Sequence, residues 1–330
     1  MLEWADDLKL CGTGLYLDSR KPRERCFVSH AHSDHLGVHR EAIATAATRA
    51  LAEYRIGVQR VTELAYGVDF DFCPHTRLRL LPAGHVVGSA MVHATRPEGT
   101  LLYTGDFKLR ECLTVGRAEP CLADVLVMES TFGLPLFRFP PWRQVVDQLL
   151  DVVAAAMKDG RQPVVMGFTL GKSQEITRIL TDAGFPVTAH GAVFQINRIH
   201  EELGVPLGKY RRYSAADFHG PRALPLEERG VLVAPPNVAR GSFVTRFDNP
   251  CRVVLTGWAM LKNAKFRYGV DHALPLSDHA DFDELLELVE RVRPKKIYSH
   301  HGYREFADTL RARGHDAELA RPDEQLRLFG

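Results

Sequence analysis

His30-Ala31-His32-Ser33-Asp34-His35 follows the short apolar run Cys26-Phe27-Val28-Ser29, and this stretch decides how the chain is read. Fifteen histidines in 330 residues make three at fixed offsets a chance event on the order of 0.03 per chain. Residues two apart in extended chain point the same way, so His30 and His32 can offer their imidazoles to one metal ion. As the chain then turns into a helix, Asp34 and His35 swing toward a second. Mixed nitrogen and carboxylate donors suit Zn²⁺ or Mn²⁺ better than Ca²⁺ or Mg²⁺. The competing reading, a polar loop of surface histidines, has the fixed spacing against it.

Further donors stand at the ends of neighbouring strands. Gly84-His85-Val86-Val87-Gly88-Ser89 sets a histidine between glycines, and Leu101-Leu102-Tyr103-Thr104-Gly105-Asp106 ends an apolar strand in a carboxylate. Taken singly, each would more often be a turn residue. Around them, β-rich runs alternate with helical patterns, which means α/β. Strands are expected at Cys26–Ser29, Arg77–Leu81 and Asp124–Met128, a helix from Asp34 to about Tyr54, and a hairpin with arms Met91–Arg96 and Leu101–Tyr103 turning at Pro97-Glu98-Gly99.

A Pro-rich break at Leu134–Pro141 restarts the alternation. A helix carries Val145, Val146, Leu149, Leu150, Val153 and Met157 on one face, followed by strand Pro163–Gly167, helix Lys172–Ala183 and strands Gly230–Ala234 and Cys251–Leu255. From Ala273 a loop, a helix at Asp281–Val292, a strand at Lys295–Ser299 and a helix at Arg304–Arg313 look like a return to the first unit. The expected organisation is therefore an insertion: 1–133, an inserted lobe over 134–270, and a returning part over 271–330.

Composition sets the outer bounds. With 45% hydrophobic and 25% charged residues the chain is an ordinary globular one, and no apolar run approaches the ~18 residues of a membrane span. The acidic start Glu3-Trp4-Ala5-Asp6-Asp7 is unlike a signal peptide. Six cysteines without a C-x-x-C pair read as reduced and structural, so a cytoplasmic location is expected. A net charge of +1 gives no broad field for a polyanion, which local groups must then hold. Basic runs at Arg20–Arg25 and Lys209–Tyr213 are as readily solvated surface. His93, His190, His200, His219, His272 and His315 have no partners at ligand spacing and read as structural or surface residues.

With these residues in place, His30-x-His32-x-Asp34-His35, Pro82-Ala83-Gly84-His85 and Tyr103-Thr104-Gly105-Asp106 resemble the metallo-β-lactamase superfamily, an αββα sandwich. Asp18 in Leu15-Tyr16-Leu17-Asp18 resembles that fold's early aspartate. Met128-Glu129-Ser130-Thr131-Phe132-Gly133, Leu276-Ser277-Asp278-His279-Ala280-Asp281 and His300-His301-Gly302 resemble the motifs of the β-CASP nucleases, whose second α/β lobe is inserted where the break falls here. The resemblance runs from about residue 15 to 315.

The resemblance implies two divalent ions, Zn²⁺ first and Mn²⁺ as the alternative. His30, His32 and His85 would hold one, Asp34, His35 and His301 the other, and Asp106 both. Asp18 would orient a ligand imidazole through its other nitrogen. Metal-assisted attack on phosphorus, leaving a 5′-phosphate, would need a proton donor for the leaving oxygen, and His279 paired with Glu129 fits that role. Gly167-Phe168-Thr169-Leu170-Gly171-Lys172-Ser173 has three residues between its glycines where a Walker A loop has four, which excludes an ATPase. The same stretch resembles a β-CASP segment beside the substrate backbone, so Lys172 and Ser173 are expected to meet a phosphate.

Among β-CASP proteins the chain most resembles the short bacterial DNA-ligase-associated exonucleases, down to a terminal Gln325-Leu326-Arg327-Leu328-Phe329. That implies a DNA exonuclease in repair or end processing, associated with a DNA ligase and not with a membrane. A ribonuclease is the first alternative. A lactonase- or thioesterase-type hydrolase would need neither Glu129 nor the insertion, and a silent scaffold subunit would not fill every ligand position.

Overall fold

The computed structural model describes residues 1–320 other than Arg222 and Asp248, so the Gln325–Phe329 motif lies outside the described residues. The chain divides into two compact units, Met1–Arg138 together with the chain from His279 onward, and Phe139–Asp278.

In the first unit, β1 (Leu2–Ala5), β2 (Asp7–Leu10), β3 (Leu15–Leu17), β4 (Arg25–Phe27), β5 (Glu41–Ala44) and β6 (Val61–Glu63) make one sheet in that order. Its pairing is antiparallel as far as β3 and parallel from β3 to β6. The helix expected from Asp34 to Tyr54 is corrected here: it is strand β5 followed by helix α1 (Ala46–Ile56). Ala42, Ile43 and Ala44 are buried, the first two pairing with both β4 and β6 and Ala44 with β6, and this ladder overrides their helical preference. Thr45 then caps α1, its hydroxyl accepting from Thr48 N at 3.1 Å. Strands β7 (Asp69–Cys73), β8 (Thr76–Pro82), β9 (Ala90–Arg96), β10 (Gly99–Tyr103) and β11 (Val125–Glu129) begin a second sheet. The Arg20–Arg25 run is largely consumed by packing: Arg23 pairs with Asp7 and lies over Tyr16, and Arg25 lies over Phe72.

The second unit runs α2 (Trp142–Lys158), β12 (Gln162–Met166), α3 (Lys172–Asp182), β13 (Val187–Ala189), α4 (Gly191–Glu202), β14 (Tyr210–Arg212), α5 (Ala215–Phe218), α6 (Leu226–Arg229), β15 (Val231–Ala234), β16 (Pro250–Leu255), α7 (Ala264–Tyr268) and β17 (His272–Leu274). Its sheet is parallel throughout, in the order β14-β13-β15-β12-β16-β17. Central strands of such a sheet are covered on both faces, which is why every residue of β12 and β15 is buried instead of alternating. Where a loop was expected after Ala273, Val253 pairs with His272 and Leu255 with Leu274. The Lys209–Tyr213 run supplies the edge strand β14, with Arg211 donating to Thr188 Oγ1 and Tyr210 to Glu201.

The chain then returns with α8 (Phe282–Val292), β18 (Lys296–His300), α9 (Arg304–Ala312) and β19 (Ala317–Leu319), completing the sheet β19-β18-β11-β10-β9-β8-β7. Period-two alternation divides this sheet between two cores. Leu101, Tyr103 and Val127 face Leu10, Leu15, Phe27 and Ile43 of the six-stranded sheet, while Leu102, Leu126 and Met128 pack under Phe282, Leu285 and Phe306 of α8 and α9. Two sheets face to face with helices outside them, interrupted by an α/β unit, are the metallo-β-lactamase architecture with an inserted lobe.

Candidate metal centre

The ligand-type residues come from the ends of strands whose bodies are buried. Asp18 follows β3 with φ +50°, a left-handed conformation that costs a non-glycine residue energy and is held here by its partners. Its carboxylate accepts from Ser29 N at 2.7 Å, Ser29 Oγ at 2.6 Å, Tyr103 OH at 2.8 Å and His35 Nδ1 at 2.8 Å. These bonds decide tautomers. Asp18 holds a proton on His35 Nδ1, so Nε2 is the nitrogen turned toward the cluster. Because Ser29 spends its own proton on Asp18, its oxygen can only accept from His30 Nδ1 at 2.9 Å, and His30 Nε2 is freed in turn.

His30 Nε2, His32 Nδ1, His85 Nε2 and an Asp106 oxygen converge, all within 4.8 Å of one another. His32 Nδ1 lies 3.0 Å from both His30 Nε2 and His85 Nε2. Asp106 Oδ2 lies 3.5 Å from His30 Nε2, 3.7 Å from His85 Nε2 and 3.3 Å from His35 Nε2, so one carboxylate oxygen belongs to both halves of the cluster. Asp34 Oδ2 stands 3.9 Å from His35 Nε2, and the His301 ring lies 5.3 Å from that of His35. His300, by contrast, has its ring 6.4 Å from Trp4.

Two glycines make the convergence sterically possible. A Cβ on Gly84 would meet the Lys108 carbonyl oxygen at 2.3 Å, and one on Gly105 would meet Ser29 Cβ and Oγ at 2.5 Å. Both have positive φ, +73° and +53°, which only glycine adopts freely. They let the His85 and Asp106 loops close on the His30 loop.

The electrostatics fit a cation. Burial, reinforced by His35 and His85, pushes the His30 pKa well below the ordinary histidine value, so the ring is a neutral donor. Burial also works against charge on Asp106, yet His35 and His279 outweigh it and hold that carboxyl well below the usual carboxylate range. Against burial, Asp106 and Asp18 hold His35 well above the ordinary value. His35 Nε2 is nevertheless buried without a hydrogen bond. Three imidazole nitrogens and a carboxylate aimed at one point, with the far ring nitrogens of His30 and His35 already committed, are a donor set for Zn²⁺ or a similar ion.

Beside this cluster, His279 Nδ1 lies 3.0 and 3.1 Å from the two oxygens of Glu129. Glu129 also accepts from Phe107 N at 2.8 Å and Thr131 Oγ1 at 2.5 Å. Ser29, Tyr103, Thr131 and the Phe107 amide were not singled out in the sequence. Their only signal there was adjacency to a motif.

Lys172 and Ser173 belong to the second unit and do not have the geometry of a phosphate hook. Lys172 is 1% exposed, its ammonium 3.7 Å from Glu175 Oε2 and 3.6 Å from Asp278 Oδ1. Ser173 Oγ is buried and donates to the Gly167 carbonyl at 3.0 Å.

The fold is that of the metallo-β-lactamase superfamily, and its His–Asp cluster is a donor set for a divalent ion. Residues 264–320 match the family described as RMMBL, a Zn-dependent metallo-hydrolase RNA specificity domain. The chain is 39% identical over 99% of its length to a "Probable DNA ligase" of Opitutus terrae, of which it spans 32%. It is 27% identical over 83% of its length to RNase aCSPSF2 of Saccharolobus solfataricus, spanning 68% of that protein. It is 29% identical over 66% of its length to the transcription termination factor FttA of Methanocaldococcus jannaschii, spanning 35% of it. A crystal structure of a protein of unknown function from Enterococcus faecalis V583 shares the fold at TM-score 0.58 and 14% identity, over 83% of this chain and 74% of that one. These matches support the resemblance to the β-CASP nucleases of the metallo-β-lactamase superfamily, and the chain spans about a third of the length of the DNA-ligase relative it matches.

Proposed function

We propose that this protein is a two-metal-dependent nuclease that hydrolyses phosphodiester bonds of DNA, working as an exonuclease in end processing. The observation that carries the reading is the Asp106 carboxylate oxygen shared by the His30–His32–His85 group and by His35. His30, His32 and His85 would hold one ion, Asp34, His35 and His301 the other, with Asp106 between. Bound divalent ions supply an activated water and offset the charge building on the phosphoryl oxygens.

The chain's own residues do the rest. Asp18 fixes the His35 ring, and Ser29 fixes His30. Glu129 holds His279 through Nδ1, so Nε2 is the nitrogen left to deliver a proton to a departing nucleotide oxygen.

DNA is favoured because almost the whole chain aligns with part of a protein named as a probable DNA ligase, which also supports association with a ligase. RNA is the second reading, supported by the RNase relative and by the RNA specificity match over residues 264–320. A cytoplasmic location agrees with six free cysteines, and among the described residues no helix is long and apolar enough to cross a membrane.

Digestion of end-labelled single- and double-stranded DNA and RNA by metal-depleted protein, with Zn²⁺ or Mn²⁺ added back, tests the proposal. Metal-dependent shortening of DNA from an end is expected. Preferential RNA cleavage would move the substrate, and hydrolysis of a lactone or thioester with no polynucleotide cleaved would overturn the nuclease reading.

A further inference from the structure

In the second unit the connection leaving β12 runs toward β13, whereas that leaving β16 runs the opposite way, to β17. β12 and β16 are neighbours, so the sheet has a switch point between them, and in open parallel sheets ligands bind outside the carboxyl ends of the strands at such a point. The loops there are residues 167–171 and 256–270, with 235–247 after β15 beside them. Asp248, just past the last of these stretches, is the one acid of that connection, against Arg240, Arg246, Lys262, Lys265 and Arg267 in a chain whose net charge is only +1.

The same loops hold exposed aromatic surface. Among the described residues of the second unit, the large hydrophobic side chains that are exposed are Phe168 at 52% and Phe266 at 84%. Phe266 lies on α7, flanked by exposed Lys265 and four residues after exposed Lys262, and neither lysine makes an ion pair among the described residues. Arg240 holds this turn in place, donating to the Phe266 carbonyl and lying over Gly269. Asp271, the next acid along the chain, is paired with Arg252 and Arg161.

We infer that this carboxyl-end face of the sheet is a sequence-independent binding face for single-stranded polynucleotide, with Phe266 and Phe168 as stacking platforms for bases and Lys262 and Lys265 as phosphate contacts. A basic surface interleaved with exposed aromatic rings is the chemistry that tracks such a strand, because every base offers a π-face and every link a charge. The inference rests on the nucleic-acid reading above but makes a separate demand on the protein.

The test is fluorescence anisotropy of the full chain in EDTA with fluorescein-labelled dT20 and U20 across a salt series, alongside hydrolysis of bis-p-nitrophenyl phosphate by the Zn²⁺-loaded protein. Phe266→Ala should weaken both oligonucleotides about tenfold at fixed salt without changing the salt slope. The Lys262→Gln, Lys265→Gln pair should reduce that slope by about 1.4, at ~0.7 per phosphate contact on a single strand. Both variants change exposed side chains, and ester hydrolysis should be unaffected. Wild-type affinity and slope in both variants, or no binding of either oligonucleotide by the wild type, would overturn the inference. Failure of the wild type to hydrolyse any phosphodiester would instead strike the nuclease reading and leave the binding result standing.

Discussion

His279 Nδ1 sits 3.0 Å from one oxygen of Glu129 and 3.1 Å from the other, and the Glu129 side chain is 2% exposed against 22% for His279. The carboxylate is already satisfied by the Phe107 amide and the Thr131 hydroxyl, so it cannot swing away to coordinate an ion without breaking both. His279 keeps one ring nitrogen on that fixed acceptor and is the more exposed partner. The proton-donor role proposed for His279 asks for this arrangement.

Leaving-group dependence should expose that role. His279→Ala is expected to lose about 10²–10⁴-fold on an oligonucleotide, whose leaving alkoxide is strongly basic, and far less on a nitrophenyl phosphodiester, whose phenolate departs unaided. Metal content should stay at the wild-type level. Equal losses on both substrates, accompanied by metal loss, would make His279 a ligand instead.

Asp106→Ala should be the most damaging single change among the donors, because its oxygen is common to both groups of histidines. Elemental analysis after reconstitution is expected to find less than one ion per chain. Asp18→Asn should act more mildly, lowering metal affinity about 10–100-fold by loosening His35 and His30 while leaving the ligands in place. Unaltered metal content in both variants would remove Asp106 and Asp18 from the metal site.

The metal-ligand candidates were legible in the sequence because local spacing encodes them: a strand-end histidine pair, a turn and an acid are contiguous or sit beside glycines. Glu41–Ala44 was not legible, since its strand character comes from neighbours on both sides that are far along the chain or beyond a helix. The three-residue strands Val187–Ala189 and His272–Leu274 were missed for a related reason: they are too short to show a period. Lys172 was misjudged because a lysine at a helix start looks the same in sequence whether it faces solvent or a buried pair of carboxylates. Burial settles that, and burial is a property of the assembled unit.

His200 gives the second unit a pH dependence with a definite sign. It is fully buried on α4, its Nδ1 proton donated to the Ile196 carbonyl at 2.9 Å, and burial lowers its pKa to about 4. The unfolded chain has an ordinary histidine pKa near ~6.5. Between these values the unfolded state takes a proton that the native state refuses, so stability is full above the upper value and falls as pH drops through the window. The loss by pH ~5 should be about 2 kcal/mol. His200→Gln keeps an amide donor and cannot titrate, so its urea midpoint should fall less than the wild type's between pH ~7.5 and ~5. Parallel declines would refute the assignment.

Lys172 should matter to stability and not to counterion release. Its ammonium is buried between Glu175 and Asp278, and Glu175 in turn accepts from Trp142 Nε1 at 3.0 Å. Lys172→Met fills a similar volume but removes the buried cation from beside two carboxylates. Breaking a buried pair in this way typically costs about 3–5 kcal/mol, more than the pair itself contributes over an apolar replacement. The companion variant Lys172→Met, Glu175→Gln should recover part of the loss, because one of the stranded charges is gone, and a double-mutant cycle measures how much. A buried ammonium held by carboxylates neutralises no phosphate and so releases none of the strand's condensed counterions, and the salt slope of oligonucleotide binding should stay at the wild-type value under conditions where the variant remains folded. A slope reduced by about 0.7 with stability unchanged would restore Lys172 as a phosphate contact.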